Sequence, residues 1–209
     1  MQGQGFSLWC ATRGVHKLLG PDQVQRLAAF LEILEKWNGR LNLTGFSLLE
    51  DLDTACDRLI LEPVLAAVHL RPTDRLVIDI GSGSGSPAIP FLIAAPWIDL
   101  TMVESRQRKS VFLREAIRAV GHNASVVTAR FEEFASSHPG GQFDVATIRG
   151  VRLDAAIETG AAALVQPKGR VFYFDSVVAP TPSLTGFPVT SHATFKSLAG
   201  FQLSIFERP

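Results

Sequence analysis

The spacing of hydrophobic positions changes near residue 70. In the segment 21–37, PDQVQRLAAFLEILEKW, apolar residues recur every three or four positions at Val24, Leu27, Ala28, Leu31 and Leu34. This spacing predicts an amphipathic helix with one buried stripe, and Pro21 and Asp22 suit its first turn. A second helix is predicted over about residues 48–70, with a kink or a break at Pro63.

From residue 75 onward, short β-rich runs alternate with helical windows. The strand candidates begin near residues 75, 100, 124, 143 and 169, and two further runs after residue 187 predict a closing antiparallel hairpin. Alternation of strands and helices is typical of a parallel sheet with helices on both faces. We therefore predict an α/β fold, with an N-terminal helical extension over residues 1–70 and the main domain over residues 71–209.

Composition restricts the class of protein. Of the 209 residues, 46% are hydrophobic and 19% are charged, as in a folded globular chain. The longest apolar run, 87–100, is broken by two prolines and an aspartate, so it cannot supply the ~20 residues of a membrane span. The first twenty residues lack the layout of a signal peptide, and neither the two cysteines nor the five histidines have metal-site spacing. We expect a cytoplasmic protein with no membrane segment and no metal.

The formal net charge is zero, so overall charge does not indicate a nucleic-acid partner. The segment 105–118 nevertheless concentrates five basic residues: Arg106, Arg108, Lys109, Arg114 and Arg118. A solvated helix face and an RNA-binding patch both account for this cluster.

A glycine-rich loop, VIDIGSGSGSPAIP, follows the first predicted strand at residues 77–90. In open parallel sheets, ligands bind at the carboxyl ends of the strands, which is where this loop lies. No lysine follows the glycines, and this excludes a Walker phosphate loop. A dinucleotide fingerprint survives in its looser form, because Gly83 and Gly85 are followed by Ala88, and Glu104 lies where an acid would hold a ribose.

A second interpretation takes the acidic residue at the start of the loop, Asp79, together with the glycines. The pattern Asp79-x-Gly81-x-Gly83-x-Gly85 resembles motif I of the Rossmann-like S-adenosylmethionine methyltransferases. Glu104 would hold the ribose in either case, whereas a dehydrogenase usually adds a substrate domain for which little chain remains. A loop that only makes a tight turn is the remaining alternative.

The flanking segments make the resemblance specific. Five segments occur in order, WNGRLNLTG (37–45), DIGSGSGSPAIP (79–90), VESRQRKSVFL (103–113), ARFEEF (129–134) and FDVATIRG (143–150). Together they resemble the bacterial small-subunit ribosomal RNA guanine-N7 methyltransferases, the glucose-inhibited division protein B family, over about residues 20–175. This resemblance implies a Rossmann-like methyltransferase fold with a mostly parallel, seven-stranded sheet.

The resemblance also implies roles for individual residues. The cofactor's amino-acid and sulfonium end would contact Asp79, Gly81, Ser82, Gly83 and Gly85. Glu104 would hold its ribose, and Phe131 and Glu132 would contact its adenine, largely through the backbone. Arg149, Asn42 and Thr44 would face the catalytic side. Arg149 could instead close a helix or sheet edge, and Asn42 and Thr44 could be turn or capping residues.

The chain departs from the family pattern on its substrate side. Where the family reads G-x-G-F-P-G, Ser86 and Ala88 replace the aromatic residue and the last glycine. Gly150 follows Arg149 in place of alanine, Leu59 replaces a histidine, and Glu62-Pro63 replaces aspartate-serine. These changes mark a divergent member.

The expected activity is methyl transfer from S-adenosylmethionine to guanine N7 of small-subunit ribosomal RNA. Guanine N7 has a free lone pair, so the reaction needs alignment but no general base. The expected partner is this RNA or the assembled small subunit, and the protein is expected to be a monomer. Two alternatives stay open: a methyltransferase retargeted to another RNA or a small molecule, and a non-catalytic S-adenosylmethionine-binding module.

Overall fold

The computed structural model describes residues 2–175, 184, 187–194 and 201–209. Its α-helices are α1 (Gln2–Arg13), α2 (Pro21–Leu41), α3 (Leu52–Cys56), α4 (Glu62–Ala67), α5 (Ala88–Ala94), α6 (Gln107–Ala119), α7 (Phe131–Ser137) and α8 (Ala155–Leu164). Its strands are β1 (Leu76–Ile80), β2 (Asp99–Glu104), β3 (Ser125–Thr128), β4 (Phe143–Arg149), β5 (Val165–Asp175), β6 (Val189–Thr194) and β7 (Gln202–Glu207). A short 3₁₀ turn, Val15–Lys17, follows α1.

The seven strands form one sheet in the order β3-β2-β1-β4-β5-β7-β6. The first five strands are parallel, whereas β7 pairs antiparallel with both β5 and β6. This architecture confirms the predicted α/β fold, including the closing antiparallel hairpin. The carboxyl ends of β1, β2 and β4 lie side by side, and this edge of the sheet positions the site described below.

Helix α2 buries Leu27, Leu31 and Leu34 of the predicted stripe, leaves Val24 and Ala28 partly buried, and extends four residues beyond the predicted end. Leu27, Phe30, Leu31 and Leu34 are buried along it. Near its carboxyl end, the Trp37 indole N–H donates to the Glu115 carboxylate of α6 at 3.2 Å.

The predicted second helix is continuous from Leu52 to Ala67 but changes its winding in the middle. A π-helical turn, Asp57–Leu61, joins α3 to α4, and Pro63 lies in the first turn of α4. The interruption that Pro63 predicts is therefore a wider, π-helical turn, which lies just before this proline. Such a turn shifts the carbonyl with which a proline ring would otherwise clash in a regular helix.

Helix α1 is fastened to the π-helical turn by a buried carboxylate. The Asp57 carboxylate accepts a hydrogen bond from the Trp9 indole at 2.8 Å and two from the Arg13 guanidinium at 2.7 and 2.6 Å. Charge-assisted, bidentate pairs of this kind also fix the orientation of their partners.

The N-terminal helices and the sheet share one hydrophobic core. Leu27 and Phe30 of α2 belong to the same buried cluster as Val77 of β1 and Phe112 of α6. The division at residue 70 thus follows the change from helices to sheet, while packing continues across it. Within the described residues, the helices are too short or too polar to cross a membrane.

Candidate functional site

The glycine loop folds over the carboxyl ends of β1 and β2. The N–H groups of Gly81 and Ser82 both donate to the Val103 carbonyl, at 2.9 and 3.1 Å. The Gly85 N–H then donates to the Ser82 carbonyl at 2.7 Å, which closes a tight turn. Gly81, Gly83 and Gly85 all have positive φ angles, of 73°, 47° and 79°, a region that favours glycine.

The three glycines differ in what surrounds them. A Cβ on Gly81 would lie 2.6 Å from Val151, and one on Gly85 would lie 2.7 Å from Ile89. A side chain at either position would therefore force a neighbouring side chain to move, in addition to the strain of a positive φ. A Cβ on Gly83 would meet no atom closer than 3.6 Å, so the open face of this residue leaves room for a ligand to approach the backbone.

Asp79 ends β1 beneath this loop and is almost completely buried. One carboxylate oxygen, Oδ1, accepts a hydrogen bond from the Thr147 hydroxyl of β4 at 2.6 Å. The other, Oδ2, has no hydrogen-bond partner among the described residues. Burial raises the pKa of Asp79 to about 6, against the lowering effects of the nearby Ser82 and Thr147 hydroxyls and of Arg149, and the Glu104 charge also raises it. An unpartnered buried carboxylate oxygen is costly, and an ammonium or N–H group of a ligand would satisfy it.

Glu104 ends the neighbouring strand β2 and is also buried. Its Oε2 accepts from the Gly83 N–H at 2.9 Å, and its Oε1 accepts from the Arg106 N–H at 2.8 Å. These two bonds fix the plane of the carboxylate against the glycine loop. Each oxygen keeps a second lone pair, so the same carboxylate can accept two ligand hydroxyls.

The structure therefore brings together the principal residues of the predicted cofactor site. The free Oδ2 of Asp79 suits the methionine ammonium of S-adenosylmethionine. The open face of Gly83 suits close approach of the same ligand, and Glu104 suits its two ribose hydroxyls. Ser82 lies buried between them, and its hydroxyl donates to the Asp79 carbonyl at 3.3 Å.

Phe131 and Glu132 begin α7 but direct their side chains away from this edge. The Phe131 ring is buried against Gly160 of α8, and the Glu132 side chain lines a groove between α7 and α8. Only the backbone of these two residues is therefore left to contact a ligand at this edge.

Arg149 ends β4, where its guanidinium is held within the protein. It donates to the Arg58 carbonyl at 2.6 Å and to the Ser86 hydroxyl at 3.1 Å, and it forms an ion pair with the Glu62 carboxylate. The same guanidinium stacks over the Phe174 ring at 4.7 Å. The chain thus provides its own carboxylate for this arginine, and the contacts join the glycine loop to the π-helical turn.

Glu62 is a fully buried residue of the site, and its only signal in the sequence is the departure from the family pattern at this position. It pairs with Arg58 at 2.9 Å as well as with Arg149. Burial raises the pKa of Glu62 to about 7, although both arginines act to lower it. Its partners lie 4 and 87 positions away in sequence, and the second pairing has no local pattern that reveals it.

Asn42 and Thr44 follow α2 and have different surroundings. Asn42 caps the helix with a φ of 47°, and its side chain borders a cavity beside the start of α6. The Thr44 hydroxyl accepts from the Phe46 N–H at 3.1 Å, and the Thr44 N–H donates to the Asn38 side chain at 2.9 Å. Asn42 therefore lies beside the start of α6, whereas Thr44 has the contacts of a turn residue.

Comparisons with known proteins show the family of the chain. The family model described as rRNA small subunit methyltransferase G matches residues 23–176. The ribosomal RNA small subunit methyltransferase G of Stenotrophomonas maltophilia (strain K279a) is 33% identical over 162 residues, which cover 76% of this chain and 70% of that protein.

Solved structures share the fold at low sequence identity. An O-methyltransferase family protein from Burkholderia thailandensis superposes with a TM-score of 0.58 at 17% identity, covering 90% of this chain and 71% of that one. A mutant of MtNAS in complex with S-adenosylmethionine superposes with a TM-score of 0.56 at 17% identity, covering 88% and 72%. At this identity the likeness concerns the fold alone.

Proposed function

Because this chain belongs to the rRNA small subunit methyltransferase G family, we propose that it transfers the methyl group of S-adenosylmethionine to a guanine N7 of small-subunit ribosomal RNA. The observation that carries the proposal is the buried Oδ2 of Asp79, which lacks a partner among the described residues. It lies at the carboxyl edge of the sheet with Gly83 and Glu104, where this class of fold binds its ligands.

Different residues of the chain bind different parts of the cofactor. Asp79 binds the ammonium group, and Glu104 binds the ribose hydroxyls. Gly83 has no side chain, so the methionine end can approach the backbone there. Gly81 and Gly85 shape the loop, and the backbone at Phe131 and Glu132 borders the adenine. S-adenosylmethionine supplies an electrophilic methyl group, and the protein fixes where that methyl points.

The residues around the loop act by alignment. Guanine N7 attacks through its own lone pair, so no side chain has to remove a proton, and rate enhancement comes from orienting N7, methyl and sulfur in line. The purine becomes cationic as it is methylated. The charge of Arg149 is paired with Glu62, so this residue destabilises the cationic purine less than an unpaired arginine would.

Arg149 then serves as a positioning residue on the substrate side of the loop. Its hydrogen bonds to the Ser86 hydroxyl and to the Arg58 carbonyl hold the glycine loop against the π-helical turn. Asn42 would contact the RNA at the entrance to the site, and Thr44 would hold the turn that presents Asn42. The partner in the cell would be the small ribosomal subunit, met in the cytoplasm by a monomer of this chain.

A methyl-transfer assay tests the proposal. Methyl-labelled S-adenosylmethionine is incubated with the protein and with small subunits from a strain that lacks the family's methylation. The proposal predicts label in the RNA as 7-methylguanosine. Bound cofactor with no label in the RNA would overturn the proposed substrate. It would favour the retargeted methyltransferase, which the substrate-side change to Glu62 already suggests.

A further inference from the structure

A basic cavity opens between the carboxyl end of α2 and the start of α6. Its volume is about 350 Å³, and its lining residues are Arg40, Leu41, Asn42, Arg106, Gln107, Arg108 and Lys109. Four of these seven side chains are cationic and no acidic residue lines the cavity, so its charge is strongly positive although the whole chain is neutral.

The four cations of this cavity are available to a ligand. Within the described part of the chain, the side chains of Arg40, Arg106, Arg108 and Lys109 make no ion pair or hydrogen bond. All are exposed except Lys109, which is partly buried.

The structure separates these residues from the other basic positions of the same segment. Arg114 donates to the Val126 carbonyl at 3.0 Å and to the Thr128 hydroxyl at 3.2 Å, so it is held against β3. Arg118 borders a different cavity, beside Leu76 and Asp99 at the amino ends of β1 and β2. Within α6, the cations near the cofactor site therefore come from the start of the helix.

One of the residues that line the basic cavity, Lys109, also lies next to the glycine loop. The Lys109 ammonium lies 3.9 Å from the position that a Cβ on Gly83 would occupy. The Arg106 N–H donates to Glu104, the residue assigned to the ribose. A phosphate in the cavity would thus lie beside the cofactor, and the base on an adjoining nucleotide could reach the methyl group.

The two walls of the cavity are fixed relative to each other. Trp37, one turn before Arg40, donates to Glu115 of α6, and its ring packs against Phe112 with the ring centres 6.1 Å apart. This contact holds the carboxyl end of α2 against α6, so the two helices that carry the cations are fixed relative to each other.

We propose that this cavity, formed by Arg40, Asn42, Arg106, Arg108 and Lys109, binds a backbone phosphate of the ribosomal RNA next to the methylated guanine. The inference rests on the proposed function and adds the residues that bind the substrate. Phosphate contacts fix the register of a nucleic acid on a protein without reading its sequence. The cavity therefore determines which nucleotide lies over the cofactor.

The experiment uses the full chain carrying Arg40→Gln, Arg108→Gln and Lys109→Gln together. These substitutions remove charge while keeping a long polar side chain. The matched control is Arg118→Gln, which removes a cation from the same helix outside the cavity. Binding to undermethylated small subunits is measured over a range of salt concentrations, alongside the affinity for S-adenosylhomocysteine and the kcat and KM of methyl transfer.

The triple variant is expected to bind subunits about tenfold or more weakly and to lower the slope of log affinity against log salt by roughly 0.7, the contribution of one phosphate that is no longer neutralised. KM should rise while kcat at saturating subunit stays near wild type, because these side chains bind the ground state and the transition state alike. Affinity for S-adenosylhomocysteine should not change, and Arg118→Gln should match wild type in every measurement.

Three results would overturn the inference. One is a triple variant that binds subunits as tightly as the wild-type protein does. Another is an equal weakening in both variants, which would indicate diffuse attraction. The third is weaker cofactor binding in the triple variant, which would assign the cavity to the cofactor. Failure of the proposed function is distinguishable from all three, because wild-type protein would then bind cofactor and methylate no ribosomal RNA.

Discussion

At the residue scale, the burial of Asp79 determines the pH range in which its carboxylate can bind a charged ligand group. Its carboxylate has one oxygen held by Thr147 and one without a partner in the described structure, and its pKa is raised to about 6 by burial. The charged form needed to bind an ammonium group is consequently present above about pH 6 and is lost as the pH falls below it.

Cofactor affinity should follow this titration. We expect the affinity for S-adenosylhomocysteine, measured by calorimetry, to fall as the pH is lowered through about 6. Asp79→Asn should bind roughly tenfold to a hundredfold more weakly above that pH, because it removes a hydrogen bond to a charged group, and its affinity should be nearly flat across the same range. Asp99→Asn, an exposed aspartate at the far end of β2, should keep the wild-type profile. A pH dependence that survives in Asp79→Asn would contradict the assignment.

The buried Arg58–Glu62–Arg149 cluster supports a second prediction at this scale. Arg149→Met should lower the free energy of unfolding by about 3 kcal/mol, because it leaves the buried Glu62 with one partner instead of two. Adding Glu62→Met should restore much of that stability, since the uncompensated buried charge is then gone. Urea titration of the two single variants and the double variant measures both effects. An Arg149→Met protein of wild-type stability that no longer transfers methyl groups would instead place this arginine on the substrate.

At the element scale, the glycine loop carries two different constraints. A Cβ on Gly85 would lie 2.7 Å from Ile89, whereas a Cβ on Gly83 would make only ordinary contacts, the nearest at 3.6 Å. The same chemical change at the two positions should therefore separate folding from binding.

Gly85→Ala should lower the free energy of unfolding by about 3 kcal/mol, through overpacking combined with a positive φ. Gly83→Ala should cost only about 1 kcal/mol, from its positive φ alone. It should nevertheless weaken binding of S-adenosylhomocysteine more than Gly85→Ala does, relative to the folded protein present. Thermal unfolding and calorimetry on both variants provide the comparison, and equal decreases in stability would be inconsistent with this account of the loop.

The same elements show which features of the fold and of the site can be predicted from the sequence. The stripe of α2, the alternation of strands and helices and the Asp79–Gly85 loop are local patterns, because each reflects a repeat or a turn within a few residues. The pairing of Glu62 with Arg149 and the meeting of Arg40 with the start of α6 join positions far apart in the chain. Only the packed fold brings such groups together. The wider turn before Pro63 is predictable only as an interruption, because proline excludes a regular helix without specifying what replaces it.

At the scale of the whole molecule, the helical extension belongs to the structure that supports the site. Leu27, Phe30 and Leu34 are completely buried in a cluster that also contains Val77 and Phe112. Burying each of these side chains is worth roughly 1.5–3 kcal/mol, which is a large part of the stability of a small domain.

Residues 71–209 alone are therefore expected not to fold cooperatively. A fragment of these residues should show no sharp thermal transition by circular dichroism, under conditions in which the full chain shows one. A fragment that unfolds cooperatively and binds S-adenosylhomocysteine would instead establish the division at residue 70 as a boundary between independent units.

The measurement that tests the central claim most directly is nucleoside analysis of small-subunit ribosomal RNA. The RNA comes from cells that lack the family's methylation and express either this chain or its Asp79→Asn variant. The account predicts that 7-methylguanosine is restored by the wild-type chain and strongly reduced with the variant, at equal protein levels. Absence of 7-methylguanosine with a folded, cofactor-binding wild-type protein would contradict it.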